Sequence, residues 1–114
     1  CPTCGSILTG TGAAEVSCCG RRLEALKARP ADAAHRPTAE AIETEYYVTF
    51  PHEMTKTHFL RFAALVDYDR MLLVRLYPEQ EPTLRIPQTG RPTLYYCCSE
   101  HGLQYLPLRD ALQK

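Results

Sequence analysis

No apolar run in this chain approaches the roughly 18 residues that a membrane-spanning helix needs, and nothing resembles the hydrophobic region of a secretory signal. The sequence therefore reads as soluble, with no membrane partner. It also lacks any excess of charge. Lys plus Arg and Asp plus Glu number 13 each, which leaves no global field to hold nucleic acid or an acidic membrane surface. Steering of a charged ligand has to be local. No repeat or low-complexity stretch is present, and 114 residues at 45% apolar content can fill one core but not two. The numbered chain starts at Cys1 and not at methionine, so a few preceding residues are expected in the natural product.

What the chain does have is six cysteines and four histidines. A disulfide framework is the ordinary reading of six cysteines in a short chain. The spacing argues against it. Cys18-Cys19 and Cys97-Cys98 are adjacent, and neighbouring Cα atoms lie about 3.8 Å apart, below the usual disulfide range of about 4.4 to 6.8 Å. Ligation of metal by reduced thiols accounts better for the pattern and implies a reducing, cytoplasmic location.

Residues 1–30 are rich in Cys, Gly and Ser/Thr and cannot bury a core unaided. Leu23 to Ala28 has some helical propensity, which Pro30 ends, and Ala31 to Thr38 reads as a linker entering a loop. From Glu45 onward the pattern is strand-like: Tyr46 to Phe50, Phe59 to Asp67, Met71 to Tyr77, Thr83 to Ile86 and Thr93 to Cys98. Pro51, Asp67-Tyr68-Asp69, Pro78, Pro82, Pro87 and Gly90 punctuate these runs. Short spacing of that kind predicts an all-β fold, an antiparallel sandwich over residues 31–114 behind a small metal module at 1–30.

The module carries Cys1-Pro2-Thr3-Cys4-Gly5 and, further on, Cys18-Cys19-Gly20. A spaced pair followed by glycine forms a turn that aims two thiolates at one ion. Four thiolates suit iron or zinc, and a structural zinc knuckle is the plain alternative. The adjacent second pair is unusual, because consecutive side chains diverge unless forced together. With it, the stretch from Cys1 to Leu26 resembles desulforedoxin, a rubredoxin-like iron module. That resemblance implies one iron on Cys1, Cys4, Cys18 and Cys19, with no open position.

The remaining candidates are His35, His52, His58, His101 and Cys98. A lone histidine is more often an ordinary surface or core residue than a ligand. His52 and His58 would sit about 20 Å apart on a strand and face different directions on a helix, so only a loop folding back brings them to one ion. Cys97 and Cys98 close a strand and should point to opposite faces. Cys98-Ser99-Glu100-His101-Gly102 offers a thiolate and an imidazole three apart, with a glycine free to take positive φ; alone this could be half a zinc site.

Taken in order with His35-Arg36-Pro37, these segments resemble the superoxide reductase family, which includes desulfoferrodoxin and neelaredoxin. Together with the module in front, the match is to the two-iron desulfoferrodoxin arrangement and spans nearly the whole chain. It implies a seven-stranded immunoglobulin-like sandwich, usually in a homodimer. It also implies ferrous iron with His35, His52, His58 and His101 in a plane and Cys98 on the axis. On this reading superoxide is reduced to hydrogen peroxide without dioxygen release, and a rubredoxin-like or other donor re-reduces the iron.

The sequence departs from the family at several points. Ala33-Ala34 replaces a common Glu-Lys before the first ligand histidine, Glu53 replaces a proline, and Gln104 replaces a frequent tryptophan. Arg36 or Lys56 could supply the missing steering cation; both also read as ordinary solvated residues. Two further functions stand beside reductase: an electron-transfer protein with an inactive histidine site, and a zinc-stapled or degenerate metal-binding module.

Overall fold

Runs of β-branched and aromatic residues favour a pleated, half-buried backbone, and here their alternation decides which side chains meet in the core. The computed structural model describes residues 1–10, 12–88 and 90–112. A two-stranded antiparallel hairpin, β1 (Val16–Cys18) and β2 (Arg21–Leu23), precedes two larger sheets. Five strands lie side by side in the order β3 (Arg29–Pro30), β10 (Gly102–Pro107), β9 (Thr93–Cys98), β6 (Leu60–Val66) and β7 (Met71–Arg75). The second sheet orders β4 (Thr38–Ile42), β5 (Glu45–Thr49) and β8 (Thr83–Pro87). The expected all-β fold is the observed one.

The two sheets share one core. Val48, Leu84 and Ile86 of the smaller sheet meet Leu60, Ala63, Leu65, Leu94, Tyr96 and Leu106 of the larger. Each large apolar side chain buried in this way stabilises the fold by about 1.5 to 3 kcal/mol. A single turn of helix, α1 (Leu108–Ala111), adds buried Leu108 and Ala111 at the sandwich end.

Three local outcomes differ from the sequence expectation. Leu23 to Ala28 forms no helix; Leu23 pairs with Val16 in the hairpin, because so short a segment cannot meet the cost of helix nucleation. One pairing is parallel rather than antiparallel, with Arg29 and Pro30 running along Gln104 and Tyr105. Finally, β4 starts at Thr38, where the linker reading ended, in a stretch not expected to be a strand; only Ala39 of its residues is buried.

Candidate metal centres

The hairpin turn explains how adjacent cysteines serve one cluster. Cys18 pairs with Arg21 across it, and the two residues between, Cys19 and Gly20, have φ of 53° and 76°. Positive φ at both central positions is the two-residue turn that matches strand twist. It swings Cys19 round to the side of Cys18. On the other arm the Gly5 N–H donates to the Cys1 carbonyl at 2.9 Å, closing the turn that carries Cys1 and Cys4. The four Sγ atoms lie within 4.8 Å of one another, with Cys4 and Cys18 at 3.6 Å and Cys18 and Cys19 at 3.9 Å. The Ser6 hydroxyl, 3.1 Å from Cys4 Sγ, brings that thiol down to about 6, while the neighbouring sulfurs of Cys4 and Cys18 push Cys19 up to about 11. Four close sulfurs cannot all ionise alone; a cation at their centre reverses that balance.

The second cluster is assembled from three segments. The loop between β5 and β6 folds back on itself: the Thr55 N–H donates to the His58 carbonyl at 3.0 Å and the His58 N–H to Thr55 Oγ1 at 3.0 Å. Met54, buried beneath, accepts from the Leu60 N–H at 3.4 Å and anchors the loop in the core. His52 and His58 thereby lie side by side, ring centroids 4.4 Å apart and planes tilted by 59°. In β6 an irregularity between Leu60 and Phe62 lies opposite Cys97 and Cys98, a place where bulges commonly re-aim side chains. The β9–β10 turn then returns through Gly102 at φ 82°, which leaves His101 beside Cys98.

The four rings form a closed circuit. His35 to His52 is 5.1 Å, His52 to His58 is 4.4 Å, His58 to His101 is 5.3 Å and His101 to His35 is 4.7 Å, whereas the His35–His58 diagonal is 6.4 Å. Cys98 Sγ sits against this circuit, 3.2 Å from His52 Nε2 and 3.3 Å from His101 Nδ1. Ligand atoms of His35, His52, His58 and Cys98 all fall within 4.8 Å of one another. His101 joins through Cys98 and through a second grouping with His58 and Glu100.

Outward-facing nitrogens are held from behind. His35 Nδ1 meets Asp32 Oδ1 at 2.7 Å, His52 Nδ1 meets the Glu53 carbonyl at 2.5 Å, and His58 Nδ1 pairs with the Glu53 carboxylate. That leaves Nε2 of each directed inward. His58 Nε2 is buried with no hydrogen-bond partner among the described residues, the Glu100 carboxylate lying 3.9 Å off, a condition that costs roughly 1 to 3 kcal/mol unless something binds it. Burial, against the opposing contact with the Glu53 carbonyl and with smaller contributions from His58 and His35, holds His52 below its ordinary value. The His35 ring holds Asp32 below the carboxylate range. A buried thiol plus inward imidazole nitrogens is a donor set for a first-row transition metal.

Cys97 is buried on the opposite face of β9, its Sγ 3.9 Å from the Cys98 carbonyl, and burial pushes its thiol up. Arg36 turns away to donate to the Asp110 carbonyl at 3.2 Å. Lys56 is exposed on the loop that carries His52 and His58. Sequence reasoning passed over Asp32 altogether, and it treated Glu53 and Gln104 only as departures from the family pattern. An acidic residue three positions before a histidine, able to cap the turn between them, was the available signal for Asp32.

An all-β sandwich bearing a nitrogen and sulfur cluster, preceded by a four-cysteine hairpin, defines a class of two-site metalloprotein. No protein-family model matches the chain. It is 30% identical over 112 residues to the desulfoferrodoxin of Syntrophotalea carbinolica, covering 90% of this chain and 89% of that one. The desulfoferrodoxin homolog of Methanothermobacter thermautotrophicus is 28% identical over 115 residues, covering 92% and 93%. The fold matches the crystal structure of the superoxide reductase from Treponema pallidum with a TM-score of 0.69 at 22% identity, over 85% of this chain and 83% of that one. The chain belongs to the desulfoferrodoxin-type superoxide reductase family.

Proposed function

We propose that this protein is a non-haem iron superoxide reductase that takes superoxide to hydrogen peroxide, consuming one electron and two protons. The observation that carries this reading is the closed circuit of His35, His52, His58 and His101 against the buried Cys98 sulfur, in a chain of this family. Iron, when bound there, supplies the electron by passing between its ferrous and ferric states. The chain's own residues do the rest. Inward nitrogens and the Cys98 thiolate hold the ion, and the thiolate raises its electron density. The Glu100 N–H, 3.5 Å from Cys98 Sγ, tempers that thiolate. His101 is exposed while Cys98 and His35 are buried, so a small anion approaches from the His101 side. Lys56 is the cation we assign to steering on that loop.

Residues 1–30 we read as the module for a second iron, with zinc as its alternative metal, and residues 31–114 as the reductase domain. An external donor, rubredoxin-like or another small reductant, must return the electron. Reduced thiol ligands point to the cytoplasm, and a homodimer is the assembly we infer.

Anaerobic purification followed by metal analysis should find two irons per chain, and pulse radiolysis should show superoxide oxidising the ferrous histidine site. Zinc in the cysteine cluster with nothing in the histidine cluster would sink the reading. Both irons present but no reaction with superoxide would favour an electron carrier instead.

A further inference from the structure

Behind His35 lies a polar chain, buried at Gln104 and Tyr96 and half-exposed at Asp32, that metal ligation alone does not explain. Gln104 is 1% exposed and Tyr96 0%, and burying an amide and a phenol in a sandwich core is costly unless each finds partners. Their partners converge on one carboxylate. The Tyr96 hydroxyl donates to Gln104 Oε1 at 3.4 Å, the Asp32 N–H donates to the same Oε1 at 3.2 Å, and Gln104 Nε2 donates to Asp32 Oδ2 at 3.0 Å. This fixes which way the amide faces, since the reversed amide would set its carbonyl against a carboxylate and its NH2 against the Asp32 N–H.

Both oxygens of Asp32 are thereby committed. Oδ2 is held by Gln104, and Oδ1 accepts from the His35 N–H at 2.9 Å and meets His35 Nδ1 at 2.7 Å. A carboxylate so fixed can only accept, so the proton of the neutral His35 ring belongs on Nδ1 and the lone pair on Nε2. Nε2 is the nitrogen directed into the ring circuit.

We propose that Asp32, locked by Gln104 and Tyr96, is the positioning residue for His35: it selects the Nδ1–H tautomer, fixes the ring plane, and strengthens Nε2 as a donor to the metal. The proposal rests on the reading of the histidine cluster as the iron site. A carboxylate behind a ligating imidazole raises its basicity, and removing such a partner lowers metal affinity roughly 10- to 100-fold. Stronger donation favours the ferric over the ferrous ion. Loss of the charge should therefore raise the reduction potential, by about 59 mV for each tenfold change in the ratio of the two affinities.

The test uses the full chain. In the metal-free protein, 15N NMR of labelled histidine should show a single Nδ1–H tautomer for His35, and Asp32→Ala should show a mixture. Cobalt(II) binding at the histidine cluster, read by its thiolate absorption against a competing chelator, should weaken roughly 10- to 100-fold in Asp32→Ala. Asp32→Asn, with its oxygen toward His35, keeps that acceptor, loses the charge and gives up the contact with Gln104 Nε2; it should retain the Nδ1–H tautomer while raising the iron potential. Tyr96→Phe removes one donor to Gln104 and should shift the same quantities in the same direction by less, which keeps the test open if Asp32→Ala does not fold. An unchanged tautomer, affinity and potential in Asp32→Asn and in whichever of the other two variants folds would overturn the proposal and leave the chain as a clasp between the 31–37 loop and β10. Failure of the unaltered protein to bind metal at the histidine cluster would instead overturn the proposed function.

Discussion

Glu53 does two things at once, because its carbonyl faces His52 Nδ1 while its carboxylate holds His58 Nδ1. Glu53→Ala should spare the first contact and lose the second. We expect metal affinity at the histidine cluster to fall roughly 10-fold or more, read by chelator competition, with His52 little changed; an unaffected affinity would show that His58 is held well enough by its loop. Cys98→Ser replaces the soft donor by a hydroxyl and should abolish thiolate-to-iron absorption at that site, leaving the bands of the cysteine cluster intact. Since burial lowers His52 below 6.5, the unfolded chain binds its proton first as pH falls. The metal-free protein should thus keep its full stability above about pH 6.5 and lose stability as pH falls through the lower native value. Urea midpoints measured from pH 7.5 to 5 check the sign, and midpoints that rise towards acid would contradict it.

Elements differed in how openly the sequence declared them. β6 and β9 were visible because their runs are long and rich in Leu, Val and Tyr, and they lie at the centre of the larger sheet. β10 was not, for it opens on Gly102 and closes on Pro107, both poor strand formers, and draws its pairing from β9. β4, with its Ala and Glu residues, has little strand propensity and is held by register with β5. The ligand types and the need for a folded loop at His52 to His58 could be read from spacing, and Asp32 had a local signal three residues before His35; Gln104 had none, because it meets Asp32 only after the sheet forms. The β1–β2 turn offers a test at this scale. Gly20 at φ 76° would be strained by a side chain, so Gly20→Ala should cost about 1 to 2 kcal/mol locally and lower the temperature at which the cysteine cluster loses its metal.

Considered as a whole, the protein is elongated, 47 × 33 × 21 Å, with a radius of gyration of 14.4 Å, above the roughly 13 Å of a compact domain near this length. The sandwich has a core of its own, but none of the described residues of 1–28 belongs to the buried apolar cluster. Its order should depend on its metal. Removing metal with a chelator should raise amide exchange in β1 and β2 many-fold while β6 and β9 stay protected; equal loss of protection in all four would show that the molecule unfolds as one unit.

The parallel strip at Arg29 and Pro30 bears on how such a gene could be shortened. Arg29 donates to the His101 carbonyl, and with Pro30 it lies along β10, the strand that follows that histidine. A deletion ending at residue 28 would discard every module cysteine and leave the outermost strand in place. One ending two residues later would also unfasten the backbone next to His101, so a descendant without the hairpin would be under pressure to keep those two residues although they contribute no ligand.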